Sequence, residues 1–146
     1  MQLIVDLQNM ITIGNFSEDH IRQLHNLYQK EWWTKNRTLE ETRKVIEGSD
    51  IVVGICEEPS NRLVCFARIL TDRVFKALIF DVIVDESHRD RGLGKRLLDE
   101  IVSHPDLSRV KHLELYCLPE HQSFYEKWGF SKDVSNCSLM RKTAYL

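Results

Sequence analysis

Hydrophobic positions along the chain change their period several times, and each change marks an element. Met10 to Gly14 reads as a first strand. From Ser17 onward, Ile21, Leu24, Leu27, Tyr28 and Trp32 recur at helical spacing, with Ser17 as N-cap and Glu18 and Asp19 in the first turn, where acids favour the helix dipole. Thr38-Leu39-Glu40-Glu41 is a capping box, in which the threonine hydroxyl accepts from the Glu41 backbone while the glutamate reaches back. The helix it opens runs to about Glu47, and Gly48 ends it. Ile51–Cys56 and Leu63–Leu70 read as strands joined through Glu58-Pro59-Ser60-Asn61. The near-continuous apolar run from Lys76 to Asp85 predicts a central strand. A helix follows from Arg91 to about Val102, with Leu93, Leu97, Leu98, Ile101 and Val102 as its apolar stripe. A strand over Val110–Cys117, a helix carrying Tyr125 and a last strand over Ser138–Arg141 complete the pattern. Strand, two helices, three strands, helix, strand, helix, strand is an α+β order around a mixed sheet.

The sharpest break in the pattern lies after the central strand. Val82-Ile83-Val84-Asp85-Glu86-Ser87-His88-Arg89-Asp90-Arg91-Gly92-Leu93-Gly94-Lys95-Arg96 passes from apolar strand through a charged turn into an amphipathic helix. The first N–H groups of such a helix have no intrahelical acceptor, and its dipole favours an anion there. Gly92 and Gly94 let the backbone approach a ligand closely, while Arg89, Arg91, Lys95 and Arg96 put positive charge around the same turn. A diphosphate site is the expectation. Neither G-x-x-x-x-G-K-[ST] nor G-x-G-x-x-G fits the spacing; what stands there is R-x-x-G-x-G, at Arg89, Gly92 and Gly94.

That hexapeptide closely resembles the coenzyme A pyrophosphate loop of the GNAT superfamily of N-acetyltransferases, [QR]-x-x-G-x-[GA] between a central strand and a helix. Downstream, Phe124-Tyr125-Glu126-Lys127-Trp128-Gly129-Phe130 is similar to the family's Y-[ED]-x-x-G-F signature. The resemblance runs from about residue 62 to Phe130 and departs at Leu118, where the family often has an asparagine that helps hold the coenzyme. It implies a GNAT-like fold: a mixed, mostly antiparallel sheet flanked by helices, with a central strand pair that splays, in one domain spanning residues 1–146. It also implies acetyl-CoA as co-substrate and transfer of the acetyl group to a primary amine by direct attack on the thioester. The splayed pair would be Val82–Val84 and Leu115–Cys117, with the backbone of Val82, Ile83 and Val84 serving the pantetheine arm. Arg89, Asp90, Arg91, Gly92, Leu93, Gly94 and Lys95 would form the pyrophosphate turn. Tyr125 matches the tyrosine that points at the coenzyme sulfur and protonates the departing thiolate, whereas Phe124, Trp128, Gly129 and Phe130 read as packing and helix-stop residues. The same fold without turnover, as a coenzyme A-binding sensor or partner module, is the alternative.

The acceptor side is open to more than one reading. Glu31-Trp32-Trp33 ends the first helix where the family has its substrate-facing segment, and two indoles beside a carboxylate suit a cationic or ring-bearing amine. Equally, Trp32 fits the core with Trp33 shielding it. Asp81 is a carboxylate inside an apolar strand: burial would raise its pKa toward that of a useful base, or backbone donors would satisfy it as a structural acid. Glu114 and Tyr116 are secondary candidates on the neighbouring strand.

Composition narrows the class further. A chain of 146 residues, 42% hydrophobic and 29% charged, has the apolar content for one core. Its formal net charge of -2 argues against a nucleic-acid-coating protein. Neither a signal-peptide pattern nor a bilayer-length apolar run is present, so a cytoplasmic enzyme without membrane partners is expected. A homodimer stays open. Cys56, Cys65, Cys117 and Cys137 form no C-x-x-C pair and the six histidines no H-E-x-x-H motif, so no metal is expected and the histidines read as surface or capping residues.

Overall fold

The computed structural model describes residues 9–144, which fall into two compact units, one running to Leu115 and one beginning at Tyr116. The first unit is built on a five-stranded sheet in the order β1 (Met10–Ile13), β2 (Ile51–Glu57), β3 (Arg62–Thr71), β4 (Lys76–Val84) and β5 (His112–Glu114). Neighbours pair antiparallel through β4, and β5 joins β4 in parallel. A parallel join needs a crossover, which helix α3 (Leu93–Val102) supplies. Helices α1 (Glu18–Gln29) and α2 (Leu39–Gly48) lie between β1 and β2 in sequence.

Local chemistry starts these helices where the sequence reading has them. The Ser17 hydroxyl accepts from the His20 N–H at 3.2 Å while His20 Nδ1 accepts from the Ser17 N–H at 3.1 Å. Thr38 and Glu41 make the reciprocal pair at 3.0 and 2.9 Å. The α1 stripe then packs Leu24, Leu27 and Tyr28 against Cys56, Leu63, Phe66 and Ile83 of the sheet. On α3, Leu93, Leu97, Leu98 and Ile101 are buried, each such side chain worth about 1.5–3 kcal/mol of transfer free energy.

Three boundaries differ from the sequence expectation. Helix α1 stops at Gln29, so Glu31-Trp32-Trp33 lies beyond it and Trp32 leaves the apolar face, 70% exposed. The Thr34 hydroxyl donates to the Tyr28 carbonyl at 2.8 Å, and the chain continues through tight turns, Glu31 N–H to Tyr28 carbonyl and Thr34 N–H to Glu31 carbonyl. Helix α3 begins at Leu93 rather than Arg91, because Gly92 precedes it with a left-handed φ of 78°. Strand β5 covers three residues instead of Val110–Cys117, since its ladder with β4 ends at Leu78↔Glu114. The rest of β4 runs on without a β5 partner, which is the splay expected of the central pair.

In the second unit Pro119 opens a 3-10 turn over Pro119–His121, followed by α4 (Gln122–Glu126). Phe124 packs on Tyr125 and Trp128 at ring-centroid distances of 5.1 and 4.9 Å, and Tyr125 on Phe130 at 6.2 Å. Gly129, with φ 88°, turns the chain after the helix. Ser138–Arg141 is not a strand: Leu139 and Met140 are 66% and 90% exposed and no ladder includes them. A short apolar pair does not make a strand where no neighbour completes its hydrogen bonds.

Candidate active site

The C-terminal end of β4 carries the expected turn. A 3-10 turn over Glu86–His88 leads to Asp90 and Gly92, whose left-handed φ values of 63° and 78° bracket Arg91. Such reversals aim successive backbone N–H groups to one side, and the start of α3 adds its own unpaired donors and dipole. A Cβ at Gly92 would meet no atom within 4 Å, so the demand for glycine there is conformational. Leu93 is buried in the core and offers the turn only its backbone. Lys95 pairs with Asp99 at 2.8 Å on an exposed helix face. The left-handed turn, the helix start and the surrounding basic side chains fit a diphosphate.

Arg89 is already partnered. Its Nη2 donates to Glu31 at 2.7 Å and its Nε to the Val84 carbonyl at 3.1 Å. Both residues line a cavity of about 120 Å³ between the end of α1 and the end of β4, with Leu27, Lys30, Val84 and Glu86. Glu31 and the start of the turn, through Arg89, therefore meet at one cavity. Trp32 and Trp33, 70% and 40% exposed, are not core residues.

A second group of charges centres on Asp85, which also lines that cavity. The buried Asp85 carboxylate accepts from the Ser87 hydroxyl at 2.6 Å and lies 2.9 Å from His88 Nδ1, with Lys30 and Arg62 each at 3.3 Å. Burial alone would raise its pKa, but Ser87, His88 and Lys30 hold it down at about 2. His88 is buried rather than a surface residue, and its Nε2 lies 3.3 Å from Glu57.

Asp81 corrects the expectation of a raised pKa. It is buried, yet its pKa is lowered: burial pushes it up, and the Arg37 and Arg68 guanidiniums more than reverse that. Arg37 donates to both oxygens at 2.6 and 3.3 Å, Arg68 Nε donates at 2.7 Å and the Tyr28 hydroxyl at 2.8 Å. Side chains, not backbone donors, satisfy this acid, and a carboxylate so occupied has little affinity for a further proton. Arg37, Arg68, Lys30, Asp85 and His88 escaped the sequence reading. Its one usable signal was that a carboxylate within or at the end of an apolar strand needs cationic partners.

In the second unit, burial pushes the Tyr125 phenol up to about 12, with the Cys117 thiol adding to the effect. The hydroxyl stays protonated through the neutral range and is a donor.

The acetyltransferase (GNAT) domain family matches residues 47–132. A protein of Porphyra purpurea, named an uncharacterized N-acetyltransferase ycf52, is 29% identical over 125 residues, covering 84% of this chain and 71% of its own length. Serotonin N-acetyltransferase 2, chloroplastic, of Oryza sativa subsp. japonica is 32% identical over 66% of this chain, which spans 50% of that protein. Among solved structures, a GNAT-family acetyltransferase from Xanthomonas campestris pv. campestris superposes with a TM-score of 0.78 at 27% identity, over 92% of this chain and 93% of that one.

Proposed function

The chain belongs to the GNAT acetyltransferase family, and so to the acyltransferases, and on that premise we propose that it transfers an acetyl group from acetyl-CoA to a primary amine. The observation that carries this reading is the turn between β4 and α3, where left-handed backbone at Asp90 and Gly92 opens a helix amid basic side chains. The two units are read as one GNAT-type domain, since the family match runs across the Leu115–Tyr116 boundary.

Acetyl-CoA, as co-substrate, supplies the activated acyl group. The turn from Arg89 to Lys95 holds its diphosphate, and the backbone of Val82, Ile83 and Val84 lies where the β4–β5 ladder has ended. Glu31 is the charge partner for the incoming ammonium, with Trp32 and Trp33 as apolar walls beside it. The ammonium sheds one proton to water and the free amine attacks the thioester carbon; as the C–N bond forms and the C–S bond breaks, the nitrogen gives a second proton to water. Tyr125 donates its phenolic proton toward the departing thiolate and regains one from water, so the products are the amide and the free thiol. With its phenol held protonated at about 12, the hydroxyl stands as a hydrogen-bond donor to the charge that develops on sulfur as the C–S bond breaks. Asp81, with its oxygens engaged by two arginines and a tyrosine, is not assigned the base.

The rice relative's name makes serotonin one amine to test, and its chloroplast designation favours a plastid over the cytoplasm as compartment. Titration calorimetry with acetyl-CoA and thiol release against serotonin, polyamines, amino sugars, amino acids and peptide N-termini test the reading. Binding with release for at least one amine is expected; binding without release from any would leave a coenzyme-binding module. Tyr125→Phe keeps the ring packing and removes the donor, so kcat is expected to fall by at least about tenfold at unchanged thermal stability. An unchanged kcat removes Tyr125 from the chemistry.

A further inference from the structure

Asp81 sits in the middle of β4 with φ 56°, a left-handed conformation uncommon inside a strand, which aspartate adopts more readily than most residues with a Cβ. The register across β3 and β4 places it at a bulge: Cys65↔Val84 and Phe66↔Ile83 are followed by Arg68↔Phe80, so β4 carries one extra residue over Asp81-Val82. This is also beyond Leu78, the last residue of β4 paired with β5. At Asp81-Val82 the strand therefore lies outside both ladders, where the stretch assigned to the donor's pantetheine arm begins.

The carboxylate at this bulge is also where the segment after α1 is tied. Trp32 and Trp33 are exposed, so their packing does not fix the segment. Besides the Glu31–Arg89 pair, its fixed points are Thr34, 1% exposed and bonded to the Tyr28 carbonyl, and Arg37, bidentate to Asp81 and lying 4.6 Å from the centroid of the Tyr28 ring. Gln29 closes the loop by donating to the Arg37 carbonyl at 3.0 Å. Arg68 and Tyr28, by contrast, reach Asp81 from β3 and α1 and hold the bulge without the segment.

We propose that Asp81 and Arg37 are positioning residues: Asp81 locks the β4 bulge beside the donor strand, and Arg37 ties the Trp32-Trp33 segment to it, so one buried carboxylate sets donor and acceptor positions together. The inference rests on the acetyl-transfer reading for its kinetic consequences, but its structural content stands apart from turnover. Two variants separate the tie from the lock. Arg37→Gln releases the segment while Arg68 and Tyr28 keep Asp81 engaged; Asp81→Asn removes the charge that all three partners share.

Amide hydrogen exchange is the direct test. Arg37→Gln is expected to speed exchange in residues 30–37 and leave 81–83 unchanged, whereas Asp81→Asn speeds both. With an amine that the wild type acetylates, Arg37→Gln is expected to raise the acceptor KM by roughly tenfold with donor affinity within about twofold, since small misplacements of a positioned substrate cost heavily. Arg37→Lys, which keeps one charged hydrogen bond, should recover part of that loss. Asp81→Asn is expected to lower kcat and weaken both substrates while the pH profile of kcat/KM keeps its shape. Unchanged exchange in 30–37 for a folded Arg37→Gln, or loss of the acidic limb of the profile in Asp81→Asn, overturns the proposal. A wild type that releases no thiol overturns the acetyl-transfer reading instead, and the exchange result still decides the positioning role.

Discussion

Two acids four residues apart, one within β4 and one just past its end, are held low by different kinds of partner. Asp81 is enclosed by Tyr28, Arg37 and Arg68, with the two arginine side chains only 28% and 14% exposed. Asp85 is equally buried and is held low first by its chain neighbours Ser87 and His88, but the cations that reach it from other elements, Lys30 and Arg62, have side chains 53% and 50% exposed, and the turn beyond it pairs Arg89, 48% exposed, with Glu31. Fixed, desolvated donors make the mid-strand a place where charge sets position. Long side chains with their heads in water can change partner at small cost, so the strand end is where a ligand can enter the electrostatics. Rigidity in the middle of β4 and exchangeable charge at its end are what a strand needs if it is to hold a thioester still while its diphosphate binds and leaves.

Gly92→Val strikes the exchangeable end hardest. The left-handed φ of 78° disfavours any side chain, most of all a β-branched one, and a Cβ there projects into open space beside the turn proposed to hold the diphosphate. Coenzyme A affinity is expected to fall on the order of 100-fold, against a folding cost of about 1–2 kcal/mol for one L-residue in that conformation. Calorimetric titration and a thermal melt read the two separately. Affinity intact in a folded variant would move the diphosphate site away from this turn.

Asp85→Asn is a test of the charges centred on that carboxylate and has a defined pH window. The carboxyl's folded pKa, about 2, is below its ordinary 3.8, so the folded state binds this proton less readily than the unfolded chain. Its contribution is therefore complete above about pH 4 and is lost as pH falls through about 2. The depression corresponds to about 2 kcal/mol at neutral pH. Denaturant melts should find the variant less stable by that amount at pH 7, with the gap closing toward pH 2. A gap independent of pH would mean that the substituted amide packs badly and that the charge contributes nothing.

What the sequence made legible was what depends on near neighbours. Ser17 and Thr38 cap their helices through partners three residues away, whereas the left-handed φ of Gly92, which starts α3 two residues later than expected, did not follow from the pattern. The splay of β4 from β5 followed from resemblance. The environment of Asp81 did not follow, because its donors are 53, 44 and 13 positions distant at Tyr28, Arg37 and Arg68, and local pattern says nothing about which distant cation folds back. Strand ends were misjudged for a related reason: His112–Cys117 alternates and Ser138–Arg141 carries an apolar pair, but a strand extends only as far as its neighbour pairs with it. The stop of α1 at Gln29 was hidden in the side chains of Thr34 and Arg37, which bind outside the helix pattern altogether.

The smallest expected effect is the one that tells most about exchange. Arg89 cannot serve Glu31 and a diphosphate equally, and its 2.7 Å pair commits it to Glu31. If donor binding draws the guanidinium from Glu31, that pair opposes binding, and removing it should help. Glu31→Gln is therefore expected to tighten coenzyme A affinity by about two- to fivefold, the range that a half-exposed ion pair of about 0.4–1 kcal/mol allows. The gain should shrink as salt is added, since screening weakens the competing pair in the wild type. The same variant should raise the acceptor KM for a cationic amine, because the carboxylate that faces the cavity is gone. Calorimetry at two ionic strengths decides the point: affinity that is unchanged or weaker in Glu31→Gln would mean that Arg89 stays on Glu31 throughout and that the turn holds the diphosphate by its backbone and remaining cations alone.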